Sequence, residues 1–237
     1  MAKYYDDVFP LDPAKLTFLT EVFRSVKAAR ILDVACGTGT YTLALADRGY
    51  EVWGTDLEPQ MVELAQQKAR TTNNSAHFAV GDMRNPAALE LSFNGLFCIG
   101  NSLAHLAGER ELENTLISLR KVLTPGSVAI FQIVNFDRIL AEGDTPLPLI
   151  EYDNVRFIRI YRPQSEDKLI FNSTLELKQV DGTTVSMANS ITLHPIRKAR
   201  LESYLLAAGF TTVRTYGGFT YQEFTVQSPA TIMVAYC

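Results

Sequence analysis

What this chain has little of already narrows its function. Among 237 residues there are three cysteines, Cys36, Cys98 and Cys237. An odd number, at spacings that match no metal-binding pattern, reads as reduced thiols in a cytoplasmic protein, with no metal site and no disulfide framework expected. No apolar run reaches the length of a membrane span, and the opening MAKYYDDVFPLDP carries charge and proline where a secretion signal carries an apolar stretch. Neither a membrane partner nor a leader peptide is therefore expected. Excess positive charge is missing too: 22 Lys and Arg stand against 26 Asp and Glu, a net charge of -4. That balance suits a phosphate backbone poorly, so no nucleic-acid partner is expected. No repeat or low-complexity tract is visible, and oligomeric state is not legible.

What is present is ordinary globular material, 47% hydrophobic and 20% charged, enough for one α/β domain spanning residues 1–237. Apolar spacing predicts a helix over 13–28. Strands and helices then alternate: strand 30–34, helix 41–48, strand 51–55, helix 59–70, strands 77–80 and 96–99, helix 109–123, strand 127–134. This rhythm predicts a doubly wound, mostly parallel Rossmann-like sheet with helices on both faces. After about residue 140 the rhythm breaks into three longer strands, 155–162, 168–180 and 183–193, the last two joined at Asp181-Gly182, a strong hairpin signal. An antiparallel insertion over 144–194 is expected to lie as a lid on the carboxyl edge of the sheet, where such folds bind ligands. A helix at 196–208 and strands 211–216 and 230–236 complete the chain.

The chemistry-bearing stretch is ILDVACGTGTYTLAL: a strand, a tight turn with Gly37 and Gly39, then a helix start with free N–H groups. Asp33 sits at the strand end before the turn, and a second acid, Asp56, ends the next strand. The latter position suits the two ribose hydroxyls of an adenosine. A dinucleotide fingerprint would require a third glycine where this chain has Thr42, and no Walker-type Gly-Lys-Ser/Thr occurs. The loop therefore suits an adenosine ligand without a pyrophosphate, which disfavours an NAD-dependent oxidoreductase.

On these residues the chain resembles the class I methyltransferases that use S-adenosylmethionine (SAM). DVACGTG resembles their first motif, with Ala35 in place of the first glycine; TDLEPQMVELAQQKA resembles the second motif and its helix; FAVGDMRNP resembles the adenine-contacting turn. CIGNSLAHL, VNFDRIL and ITLHPIRKARLESYLLAAGF look like the matching segments of the glycine N-methyltransferase family, and amino-sugar N-methyltransferases share the layout. The resemblance implies a SAM-dependent methyltransferase acting on a small molecule, most naturally an amine nitrogen, with S-adenosylhomocysteine as product. O- or C-methylation on the same fold and a non-catalytic SAM-binding protein remain the alternatives. It further implies a cofactor site made of Asp33, Ala35, Cys36, Gly37, Gly39, Asp56, Leu57, Met61, Gly81, Asp82, Met83 and Gly100, with Asp82 near the adenine amino group, Met83 against the ring and Tyr5 folding over the cofactor.

Several residues read two ways. Tyr4 and Tyr5 belong to a loose N-terminus or to a cover. Cys36 offers a nucleophile, but methyl transfer needs no covalent intermediate, so a small side chain in a crowded turn is the better account. Asn101 either points into the crevice or caps a helix. His105, between Leu103 and Leu106, is either structural or a proton acceptor in the acceptor pocket; Asn101 and His105 are the expected catalytic pair. Glycine itself is not the expected acceptor. Where glycine N-methyltransferases carry a carboxylate-binding arginine before an Asn-Tyr-Asp run, this chain has Val134 before Asn135-Phe136-Asp137. Alternation puts Arg159 on one strand face with Val155, Phe157 and Tyr161, either as an anion clamp or reaching out to water.

Overall fold

The computed structural model describes residues 4–179 and 181–237; Val180, the expected end of the second insertion strand, lies outside the described residues. A short helix, α1 (Tyr5–Val8), replaces the loose N-terminus considered above and is followed by α2 (Pro13–Ser25). Asp12 starts α2 by accepting from the Ala14 N–H at 2.9 Å, with Pro13 in the first turn. The helix ends at Ser25, short of the expected 28, because Lys27 turns to the left-handed region at φ 53°. Its apolar stripe, including Leu16, Leu19, Val22 and Phe23, is fully covered.

The central sheet uses β1 (Arg30–Val34), β2 (Glu51–Asp56), β3 (His77–Val80), β4 (Phe93–Cys98), β5 (Leu123–Val134), β11 (Thr212–Tyr216) and β12 (Ala230–Tyr236), in the order β11-β12-β5-β4-β1-β2-β3. The pairs from β3 through β5 are parallel; β12 runs antiparallel to both its neighbours. Helices α3 (Thr40–Ala46), α4 (Pro59–Thr72), α5 (Glu109–Lys121) and α7 (Lys198–Ala207) make the connections. This is the expected α/β architecture. Strand order reverses between β1 and β4, which opens a crevice at their carboxyl ends.

Between β5 and α7 the chain forms α6 (Phe136–Glu142) and then a second, five-stranded antiparallel sheet. It contains β6 (Thr145–Pro146), β7 (Ile150–Tyr152), β8 (Val155–Ser165), β9 (Lys168–Lys178) and β10 (Thr184–Leu193). The two short strands and α6 had no periodicity long enough to announce them. The turn at Asp181-Gly182 forms as expected: Gly182 takes φ 85°, and the Asp181 carboxylate accepts from the Thr183 N–H at 2.9 Å. Two apolar clusters fasten this sheet. Tyr161, Leu169 and Leu193 share one core with Leu103, Phe136 and Leu116. Val155, Phe157, Leu175 and Leu177 pack with Val8 of α1. The N-terminal segment is thus held by the second sheet, with Phe9 edge-on to Phe157 at 5.9 Å. Among the described residues no helix is long and apolar enough to cross a membrane.

Candidate functional site

Asp33 ends β1 in the interior, 3% exposed, and accepts a 2.5 Å hydrogen bond from the Thr42 hydroxyl. Burial, with the Asp56 carboxylate nearby, pushes its pKa up to about 8 despite that bond. Ala35 then turns the chain with φ 61°, a conformation the glycine of the usual motif adopts without cost. Gly37 and Gly39 follow at φ 56° and 77°. Space adds to this need for glycine strongly at Gly39 and weakly at Gly37. A Cβ on Gly39 would lie 2.6 Å from the Phe78 ring, and one on Gly37 would lie 3.2 Å from the Tyr5 ring.

Tyr5 therefore sits directly over the glycine turn. Its phenol is raised to about 12 by burial, then by the charges of Asp56 and Asp33. Asp6 holds the segment in place: its carboxylate accepts from Thr38 at 2.5 Å and Thr40 at 3.0 Å and pairs with Lys68 at 2.9 Å. Nothing in the spacing of Asp6 and Lys68 signals this contact. Cys36 is a poor nucleophile here, because burial and the carboxylates of Asp33 and Asp56 push its thiol well up.

Across the turn, Asp56 accepts from the Gly37 N–H at 2.8 Å and the Glu58 N–H at 3.0 Å, with no cationic partner among the described residues. Beside it the Leu57 side chain is 64% exposed, an apolar surface at the rim of the crevice, and Met61 follows in the first turn of α4. Gly81 and Asp82 come after β3. Both Asp82 oxygens receive Arg84, at 2.8 and 2.9 Å from its Nε, and those bonds hold its carboxyl below the usual range. Met83 packs its side chain against the main core.

On the β4 side, Gly100 (φ 80°) donates its N–H to the Gln132 side chain at 2.8 Å, and Asn101 (φ 70°) donates its own to the Gln132 carbonyl at 3.3 Å. Gln132, one of the few buried polar residues of β5, thereby fixes the loop; a lone glutamine in an apolar strand is the sequence signal that was missed. Asn101 stands at the N-cap position of the turn that follows, but its side chain makes no capping bond. Its Oδ1 accepts from the Val134 N–H at 3.1 Å, while its amide nitrogen makes no hydrogen bond to a described residue and is not sealed off. A short 3-10 turn, Ser102–His105, follows. His105 opens to solvent on one side, and the part of the ring walled in by protein pulls its pKa below the usual imidazole value. His194 lies apart in role: its backbone N–H joins the Ala104 carbonyl at 2.8 Å and its ring lies 3.1 Å from the Asp167 carbonyl, a tie between the sheet and this turn.

A family model described as a methyltransferase domain matches residues 31–126, the stretch that carries the glycine turn, both acids and the β4 loop. The chain carries a methyltransferase domain over these residues. It is 27% identical to a glycine/sarcosine N-methyltransferase of Aphanothece halophytica, over 87% of this chain and 76% of that one. It is 36% identical to the dTDP-3-amino-3,6-dideoxy-alpha-D-glucopyranose N,N-dimethyltransferase of Streptomyces fradiae, over 60% of this chain and 54% of that one. The fold of a SAM-dependent methyltransferase from Clostridium acetobutylicum superposes with a TM-score of 0.85 at 18% identity, covering 99% and 96% of the two chains. Two solved methyltransferases of this fold hold these ligands: CalS10 of Micromonospora echinaspora, with SAM bound, at 19% identity and a TM-score of 0.68, and the glycopeptide N-methyltransferase MtfA, with S-adenosylhomocysteine, at 16% and 0.61.

Proposed function

We propose that this methyltransferase places the SAM methyl group on the nitrogen of a small-molecule amine, in the crevice between the ends of β1 and β4. One juxtaposition carries the reading. The 33–39 turn and Asp56 stand at the ends of β1 and β2 on one side of the strand-order reversal, and Asn101, with its free amide, and His105 follow β4 on the other.

The donor set suits SAM. Asp56 has spare lone pairs and no cationic partner among the described residues, which matches a ribose diol, and Leu57 beside it offers an apolar face to adenine. Met61, Gly81 and Met83 border that face, and Asp82, already held by Arg84, keeps a lone pair for the adenine amino group. Ala35, Cys36, Gly37 and Gly39 present backbone to the methionine end, Gly100 closes the β4 side, and Tyr5 covers the whole. When bound, SAM supplies a methyl group on a cationic sulfur, ready for displacement by a neutral nucleophile.

The chain's own residues must provide that neutral nucleophile and keep water away. A protonated amine cannot attack. His105, with its pKa held down, is neutral near pH 7 and accepts a proton. The amide of Asn101 orients the acceptor, and α1 with the second sheet excludes water from the crevice. The two relatives named above act on amines by their names, which favours nitrogen over oxygen or carbon.

The test is methyl transfer from labelled SAM to a panel of amino acids, amino sugars and nucleotide-linked amino sugars. Mass spectrometry then locates the methyl group. Transfer to nitrogen supports the reading; transfer only to hydroxyl or carbon atoms of the same panel overturns it.

A further inference from the structure

The rows of one face of the second sheet read strand by strand from the pairing of β8, β9 and β10. Val155, Leu177 and Val185 form one row; Phe157, Leu175 and Met187 the next. Tyr161, Phe171 and Ile191 form the last. Between these apolar rows lies a polar one: Arg159, Ser173 and Asn189. On one side Val155, Phe157, Leu175 and Leu177 pack on α1, whose Tyr5 sits over the glycine turn, while Val185 and Met187 stay exposed; the row on the other side packs with the core that holds Leu103. The polar row therefore spans the gap between the cover of the cofactor turn and the end of β4.

Within the chain this row has almost nothing to bind. Among the described residues its side chains make a single hydrogen bond, from Arg159 Nη2 to the Pro148 carbonyl at 2.7 Å. Arg159 Nε is sealed from solvent with no partner among the described residues. The other two arginines of β8 show what an arginine on a solvated face does here: Arg156 pairs with Glu151 and Glu176, and Arg162 with Asp144. No carboxylate lies within ion-pair distance of Arg159 among the described residues; its guanidinium instead lies 5.3 Å from the Phe157 ring centre. Its burial lowers its pKa, and the Tyr161 phenol acts in the other direction. An unpaired, half-buried guanidinium fork is costly to keep unless something pairs with it.

Resting on the methyltransferase reading above, we propose that Arg159, flanked by Ser173 and Asn189, is the clamp for an anionic group on the acceptor. The substrates of this enzyme are then amines that also carry a carboxylate or a phosphate. The bidentate fork of Arg159 takes two anion oxygens, Ser173 and Asn189 donate from the neighbouring strands, and Phe157 and Tyr161 flank the acceptor's apolar part. Val134 offers no charge on the β5 side, so the anion is drawn to the second sheet and the amine is left toward Asn101 and His105.

The test separates this clamp from the amine reading. The protein loaded with S-adenosylhomocysteine is titrated in a calorimeter with N,N-dimethylglycine and, separately, with thymidine diphosphate, which stand for the carboxylate and the nucleotide-diphosphate sources. One of the two is expected to bind. Arg159→Gln should weaken that binding about tenfold or more, the scale for losing a charged hydrogen-bonded partner, with S-adenosylhomocysteine affinity unchanged. Arg159→Lys, which keeps the charge, should restore part of it, and Arg156→Gln on the opposite face should leave it intact. Failure of both anions to bind the wild type, or equal binding by Arg159→Gln and wild type, overturns the clamp. Anion binding that depends on Arg159 without methyl transfer to any amine would instead sink the amine reading and leave the clamp standing.

Discussion

The Thr42 hydroxyl, in the first turn of α3, donates to the Asp33 carboxyl of β1 at 2.5 Å. The residue that breaks the dinucleotide pattern is thus the partner of the buried acid in the same motif. An unpartnered carboxyl at this depth would be expensive.

Thr42→Val keeps the shape and removes that donor. The expected loss of stability is about 1–3 kcal/mol, the cost of stranding a buried polar group, read by urea unfolding at constant pH. No change would mean that Asp33 finds another donor.

Asp33 also sets a pH dependence. Its folded pKa is raised to about 8 from 3.8, mainly by burial and in part by Asp56. A raised acid binds protons more tightly when folded, so its stabilising contribution is complete below about pH 4 and is lost as pH rises through 8. Stability of the SAM-free protein should decline across that window, and Asp33→Asn should flatten the decline. A wild-type profile that rises from pH 5 to 8 at the same slope as the mutant's would refute this.

Ala35 holds φ 61° where the related motif has glycine. Ala35→Gly should raise stability by up to about 1 kcal/mol, the relief of left-handed strain less the entropy of glycine. Ala35→Val should cost more than about 1 kcal/mol, since a branched side chain tolerates that region poorly. Thermal unfolding of the three proteins checks the order.

Asp6 ties the N-terminal segment to the glycine turn. Burial opposes its charge, but hydrogen bonds from Thr38 and Lys68 hold its carboxyl below the usual value. Its contribution is therefore present above pH 4 and lost as pH falls through that lowered value. Asp6→Asn should open residues 4–12 to limited proteolysis at pH 7 and raise the KM for SAM, while global stability changes by less than about 1 kcal/mol, as expected for an exposed ion pair. Equal cleavage rates for mutant and wild type would show that the apolar contacts of Val8 and Phe9 hold the segment alone.

His105→Gln should lower turnover by about 100- to 10,000-fold if the histidine accepts the amine's proton, with SAM affinity unchanged. Asp56→Ala should do the opposite, weakening SAM by roughly 1–3 kcal/mol. Calorimetry with SAM and a turnover assay on both variants would expose a swapped assignment.

The sequence by itself determined the central sheet, because its strands and helices carry their apolar patterns locally: Arg30–Val34, His77–Val80 and Ala230–Tyr236 end where the patterns end. It also determined the glycine turn after β1, since Gly37 and Gly39 supply the positive φ values the backbone adopts there. Only the tertiary structure decided the rest. Two-residue and three-residue strands such as β6 and β7 have no period to detect; they exist because β8 lends them an edge. The role of Asp6 depends on Lys68, far along the chain, and that of Gln132 on two N–H groups at the end of β4. Alternation placed Arg159 on a face but left open whether that face met water or protein. The packing of Tyr161 into the main core and of Phe157 onto α1 turned it inward, and burial without a partner is a property of neighbours that no local pattern encodes.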